Sequence, residues 1–479
     1  MEFDVINHNI VLGIAPTRRF IFSKEDAYKE KLSLYQRLKE LNIQYVDIDD
    51  INPEGLLFDP SHIQPIVEKF QNAKVDAVFL PHCNFGTEEL VCEVARKLNK
   101  PVLLWGPRDE APLPNGSRTR DSQCGLFATG KVLRRYRIKF TYLPNDSIND
   151  LSFERGIRNF LAAVNVVRTI KNLNVLQVST RPFDFLTTMY NEGELIERFG
   201  IRIKPIPLSD VIRKAKGILA AKPAAFNEIV DFTHTNMDVC IPEDGLERIV
   251  AFKMAIKEFM LEYECSVGAV QCWNALEDDF QIRACASNSM LTEDGLPIAC
   301  ETDIHGAITM AIAQAAVMSD TRPMFADWTV RHPTNPNGEL LQHCGPYPIS
   351  LRKDGVVPKL TTPFALGGDT PGSITMEAKG GDLTILRFDG DNGEYKLLAG
   401  NAKTIEGPYS WGTYSWIEVK DWLKLEKKLV EGPYIHHCVA IHGSIVPVVY
   451  EACKYIDGLS IDLYDDDEEQ CIQNYLLGR

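Results

Sequence analysis

A chain of 479 residues with 45% hydrophobic residues has apolar material for several cores, and ordinary domain sizes divide it into about two to four domains. Its net charge of −15 excludes a nucleic-acid binder, which needs basic surface to meet phosphate, and matches the acidic surface of a cytoplasmic enzyme. Met1 to Asn9 lack the basic-then-apolar pattern of a signal peptide, and no apolar run approaches the roughly 18 residues of a membrane span, so no membrane partner is expected.

The first third alternates short apolar runs with helical patterns. Ile10–Ile14 is a strand, Lys24–Leu41 a helix, Ile43–Ile48 a strand and Ile63–Asn72 a helix. Ala77–Leu80, Glu88–Leu98 and Pro101–Trp105 continue the alternation as strand, helix, strand. Repeated β-α-β requires a parallel sheet with right-handed crossovers. Near Lys171–Asn174 the pattern restarts. Val175–Val178 is a strand, a helix carries Glu192, Leu195, Ile196 and Phe199, Gly200 caps it, and Ile201–Ile206 is the next strand. A long helix, Leu246–Glu262, follows. The last third changes character: Thr384–Phe388, Tyr395–Ala399 and Ser415–Val419 are short strands separated by Asp389-Gly390 and Asn392-Gly393 turns. The expected architecture is therefore α/β, with two βαβ (Rossmann-like) domains over 1–172 and 173–352 and a smaller, β-rich, barrel-like domain over 353–479. Gly367-Gly368-Asp369-Thr370-Pro371-Gly372 lacks the Lys-Ser/Thr ending of a phosphate loop and reads as a turn. The acidic run Asp465–Glu469 reads as a solvated tail.

The richest chemistry lies at Leu296-Pro-Ile-Ala-Cys-Glu301-Thr302-Asp303-Ile304-His305-Gly306. An apolar strand ends in two carboxylates and a largely apolar helix, Ala307–Met318, follows at once. The carboxyl ends of strands are where open α/β sheets hold ligands, and a helix N-terminus stabilises a carboxylate there. Asp303 is equally suited to capping that helix. The next strand, Pro323-Met-Phe-Ala-Asp327-Trp328, again finishes in a carboxylate. Two such acids can hold Mg²⁺ or Mn²⁺, which favour oxygen ligands. The cluster Glu277-Asp278-Asp279 reads as surface. Four of the ten histidines crowd two short stretches, one at His343 and the other at His436, His437 and His442. Imidazole beside carboxylate fits Mn²⁺, Co²⁺ or Fe²⁺ better than Ca²⁺. The twelve cysteines form no CxxC pair and read as small core residues in a reducing compartment. Thr17-Arg18-Arg19 after the first strand, and Thr180-Arg181 with Met189 just beyond, place arginines where they hydrogen-bond hydroxyls or phosphates.

In this order the motifs resemble the L-fucose isomerase/L-arabinose isomerase family over essentially the whole chain. Glu301-Thr-Asp303 resembles that family's Glu-x-Asp, Phe325-Ala-Asp327 its Phe-Ala-Asp, and His437 its C-terminal histidine ligand. His343 matches the second histidine of arabinose-type members, and Thr17-Arg18-Arg19 resembles the fucose-type Gly-Arg-Arg. The resemblance implies an aldose–ketose isomerase working through an ene-diol, with Glu301 and Asp327 as catalytic groups. It implies Mn²⁺, or another divalent ion such as Mg²⁺ or Co²⁺, on Glu301, Asp327, His437 and His343. Thr17, Arg18, Trp105, Arg181, Met189 and His436 are then the substrate-binding candidates. A homo-oligomer, trimer or hexamer, is implied as well, the N-terminal domain with Arg18 and Trp105 completing a neighbour's site. The rivals are an epimerase or dehydratase acting on a sugar or sugar acid, which would use the same acids, and a non-catalytic sugar-binding protein.

Overall fold

The computed structural model describes residues 9–363, 370–465 and 467–477. Its contacts divide the chain into two units, one built on Thr169–Val449 with Ile456–Glu468, the other on His8–Arg168 with Tyr450–Tyr455 and Glu469–Arg479.

The second of these carries a five-stranded parallel sheet. Its strands are β1 (Leu12–Ile14), β2 (Tyr45–Val46), β3 (Ala77–Pro81), β4 (Val102–Trp105) and β5 (Phe140–Tyr142), in the order β2-β1-β3-β4-β5. Each crossover helix is specified locally. In Lys24–Glu40, Ser23 accepts from the Asp26 amide at 3.1 Å, acids occupy the first turn and bases the last, an arrangement that offsets the helix dipole. Ile63–Asn72 and Glu88–Leu98 begin and end where the apolar spacing puts them. Gly13 in β1 has a packing reason: a Cβ there would stand 2.8 Å from the Phe70 ring, so only glycine lets that helix residue seat on the strand.

The other unit joins two sheets. Four parallel strands, β6 (Asn174–Val178), β7 (Arg202–Ile206), β8 (Val267–Val270) and β9 (Ile298–Ala299), are ordered β9-β8-β6-β7. Six antiparallel strands close into a barrel: β10 (Met324–Arg331), β11 (Gly338–His343), β12 (Asp382–Asp391), β13 (Glu394–Thr404), β14 (Thr413–Glu418) and β15 (His437–His442). Hydrogen bonding runs round the ring β13-β12-β15-β10-β11-β14 and returns from β14 to β13. Closure removes the exposed edges that an antiparallel sheet otherwise presents. Further strands, among them Ser373–Glu377 and Leu459–Leu463, extend the barrel sheet.

Two local expectations are corrected. The strand bearing Asp327 does not continue the parallel sheet of Glu301; it is a barrel strand between β11 and β15. An apolar run ending in an acid carries no information about which sheet it joins. Asp389-Gly390 is not a turn but part of β12, where Asp389 is buried. The hairpin turn is Asn392-Gly393, with φ of +50° and +81° at the two positions, as a tight two-residue connection requires. Of the Gly-rich stretch, Gly367, Gly368 and Asp369 lie outside the described residues, as does Asp466 of the acidic run. Among the described residues no helix is long and apolar enough to cross a membrane.

Candidate active site

The site forms where the β9 end meets the barrel. After Ala299 the chain passes through Cys300 into two consecutive left-handed residues, Glu301 at φ +51° and Thr302 at φ +56°. Neither is glycine and Thr302 is β-branched, so the turn costs about 1–2 kcal/mol per residue. It is held by backbone hydrogen bonds from Thr302 to Val270 (3.2 Å) and from Asp303 to Cys300 (3.0 Å). Strain of this kind persists where the surrounding structure over-determines it, as at ligand sites.

Asp303 is that helix's N-cap, accepting from the Gly306 amide at 2.8 Å. It also does more. Its carboxylate accepts from both terminal guanidinium nitrogens of Arg387 and from His437 Nδ1, the last at 2.9 Å. Arg387 in turn donates from Nε to Asp389 at 2.8 Å, and Asp389 meets His305 Nδ1 at 3.0 Å. Asp303 and Arg387 are each 1% exposed. Burial opposes ionisation of Asp303, but Arg387 and His437 outweigh it and hold its carboxyl far below the usual range.

Barrel register supplies the rest. Asp327 on β10 stands directly across from His437 on β15 and from Gln342 on β11, next to His343. Four atoms converge: His343 Nε2 lies 3.4 Å from Glu301 Oε2 and 3.9 Å from Asp327 Oδ1, and His437 Nε2 lies 3.7 and 3.4 Å from the same two oxygens. Glu301 Oε2 and Asp327 Oδ1 are buried and, among the described residues, have no hydrogen-bond partner. Unpartnered buried carboxylate oxygens are costly, and a cation between them removes the cost. Donors about 2.0–2.2 Å from one shared divalent ion stand roughly 3.0–3.4 Å apart, so an ion here would draw this set inward by a few tenths of an ångström or more.

The two imidazoles are not equivalent. Because His437 Nδ1 donates to Asp303, its Nε2 lone pair faces the carboxylates, the usual carboxylate–histidine–metal arrangement. His343 Nδ1 instead accepts from the Cys344 amide at 2.9 Å, so the neutral ring carries its proton on Nε2, toward Glu301. It becomes a ligand only with its ring turned to release that amide. Burial opposes a charged His343, but Asp327 and Glu301 overcome it and raise its pKa well above the ordinary value. Burial likewise opposes the Glu301 carboxylate, and His343, His437 and the Cys272 thiol bring it down to about 2.

A family model of the N-terminal domain of fucose and sulfoquinovose isomerases matches residues 13–173. Sulfoquinovose isomerase of Priestia aryabhattai is 24% identical over 422 residues, covering 85% of this chain and 90% of that protein. That of Alkalicoccus urumqiensis is 24% identical over 411 residues (84% and 88% covered), and that of Clostridium sp. (strain MSTE9) 21% over 374 (77% and 82%). The chain is thus similar over most of its length to sugar isomerases of the fucose isomerase-like family.

The remaining residues singled out from the sequence of this isomerase fall in three places. His436, next to His437, is exposed and offers a nitrogen near Asp327. Arg181 and Met189 line a cavity of about 620 Å³ together with Gln177, Thr180, Tyr190 and Thr302, the residue after Glu301. Among the described residues the Arg181 guanidinium donates to the carbonyls of Pro182 and Phe183. Thr17, Arg18 and Trp105 belong to the other unit. There Arg18 pairs with Glu54 at 2.6 Å and lies over the Phe58 ring, Thr17 donates to Leu57 O, and Trp105 packs between Phe79 and Phe153. Sequence reading passed over Arg387 and Asp389. Their one signal was a charge inside the apolar run Ile385-Leu386-Arg387-Phe388.

Proposed function

We propose that this protein interconverts an aldose and a ketose through an ene-diol, with a divalent ion held by Glu301, Asp327 and His437. The observation that carries the reading is the pair of buried, unpartnered carboxylate oxygens facing an imidazole nitrogen whose tautomer is set by Asp303. The mixed oxygen and nitrogen donor set suits Mn²⁺, with Mg²⁺ and Co²⁺ as further candidates. Such an ion acts as a Lewis acid on the adjacent carbonyl and hydroxyl oxygens of a sugar, where charge grows as the C–H proton leaves. The chain's own residues do the rest. One of the carboxylates, Glu301 or Asp327, takes the proton from C2, and the other group assists its return at C1. His343, protonated on Nε2 and facing Glu301, steadies the charge there.

For substrate, the curated relatives are named for sulfoquinovose, a sugar bearing a sulfonate. A guanidinium that, among the described residues, meets backbone carbonyls and no carboxylate fits that class: Arg181 would meet an anionic group remote from the reacting carbons, with Met189 and His436 beside the sugar. We further propose a cytoplasmic homo-oligomer, a trimer or hexamer, with the loop that follows Thr17-Arg18 on the side offered to a neighbour; Trp105, 2% exposed, is buried behind it. Phe20 and Ile21, 85% and 63% exposed beside Arg18, give that loop an apolar tip to cover.

The test is to incubate the protein with Mn²⁺ and a panel of aldoses, neutral, sulfonated and phosphorylated, and identify products by NMR. Ketose formation, fastest with an anionic aldose, is expected. An epimer or a dehydrated product, with no ketose from any aldose while the ion is bound, would replace the isomerase reading with its rivals.

A further inference from the structure

Glu301 has a second set of neighbours. While Oε2 faces the imidazoles, Oε1 accepts from the Cys272 thiol at 3.3 Å. Cys272 follows β8 and Cys300 follows β9, and because these strands are parallel neighbours their ends bring the two thiols together under the carboxylate. One donor atom from each of Cys272, Cys300 and Glu301 lies within 4.8 Å of the others. The two cysteines are 3% and 0% exposed, and both are free thiols. An independent sign stands beside them. Asn288 donates from Nδ2 to the Cys300 sulfur at 3.3 Å, yet its own Oδ1, fully buried, has no partner among the described residues. Sugar isomerisation as described above uses Glu301 but neither thiol nor Asn288.

We propose that Cys272, Cys300 and Glu301 Oε1 form a second cation site, selective for a soft divalent ion such as Zn²⁺ or Cd²⁺. Thiolate sulfur selects such ions over the Mg²⁺ and Mn²⁺ that carboxylate and imidazole accept. With metal–sulfur bonds of about 2.3 Å, tetrahedral geometry puts two sulfurs roughly 3.8 Å apart, within the present spread. Binding forms two metal–sulfur bonds and releases both thiol protons to solvent. Because Glu301 serves both sites through different oxygens, a soft ion redirects it and inhibits the enzyme; this consequence rests on the proposed function, whereas the binding itself does not.

The experiment is an anaerobic titration of the full chain, preloaded with Mn²⁺, with Cd²⁺. It follows the ultraviolet thiolate-to-cadmium charge-transfer band and the protons released. A band saturating at one equivalent with two protons released is expected. Cys272→Ser should halve the band or more and weaken binding at least about tenfold, while Cys240→Ser, an exposed cysteine away from the site, should leave it unchanged. Replacing Cys272 rather than the more deeply packed Cys300 keeps the fold. No band at one equivalent, or a full band in Cys272→Ser, overturns the site. An intact band with undiminished isomerase rate overturns only the shared carboxylate.

Discussion

Replacing Asp303 by Asn separates the two tasks of that residue. Asn keeps an oxygen for the Gly306 amide, so the helix start survives. What changes is the other edge: an amide nitrogen replaces the oxygen that accepts from Arg387 and from His437 Nδ1. Removing one partner of a buried ion pair costs about 3–5 kcal/mol. Asp389 still holds Arg387 through Nε, so the lower end, about 3 kcal/mol, is expected. Separately, losing the acceptor that orients a histidine ligand weakens metal binding about 10–100-fold, or roughly 1.4–2.7 kcal/mol. Urea unfolding in the presence of chelator reads the first quantity, and calorimetric titration of the metal-free protein with Mn²⁺ reads the second. A variant destabilised as expected but binding Mn²⁺ as tightly as the unaltered protein would refute the assignment of Asp303 to His437, leaving it a helix cap and ion-pair partner.

Three further outcomes follow from other residues. Burial raises the Glu339 carboxyl to about 7 against the attraction of Arg331, from an ordinary 4.5. Its folded pKa is raised, so its contribution is full below about 4.5 and lost as pH climbs through about 7. Glu339→Gln should therefore stabilise the protein at pH 8 by up to about 3 kcal/mol and make little difference near pH 4.5; equal gaps at both pH values in urea unfolding would contradict this. Arg181→Gln should raise KM for an anionic aldose about tenfold or more with little effect on a neutral one; equal effects on both would remove Arg181 from anion recognition. Sedimentation should find a trimer or hexamer, and a stable, fully active monomer would count against the shared site.

Much of this site is legible in the sequence because its parts announce themselves locally. Glu301 and Asp327 each end an apolar run, and His437 sits in a histidine pair. The β-α-β alternation is equally plain, since periodicity follows from burial on one helix face or on both strand faces. What stayed hidden depends on pairing at a distance. Asp327 meets His437 through antiparallel register across more than a hundred residues, and the same residues read along the chain suggest a parallel strand. Arg387 looks like an interruption of a strand until Asp303 and Asp389 are seen on either side of it. The Cys272 and Cys300 thiols read as core filler because their proximity arises only where two strand ends meet. The left-handed turn at Glu301 and Thr302 leaves no mark in residue type, as neither is a glycine.

The central claim is tested most directly by comparing ketose formation in the native protein and in Glu301→Gln, each supplied with Mn²⁺ and the preferred aldose labelled with ¹³C at C1, followed by NMR. Glutamine fills the same volume and leaves Asp303, Arg387 and the helix cap untouched, so the fold should persist by circular dichroism. The account predicts that the label moves from the aldehyde to a ketose hydroxymethyl carbon with the native protein, and that this conversion is lost in the variant. Full conversion by Glu301→Gln would contradict it.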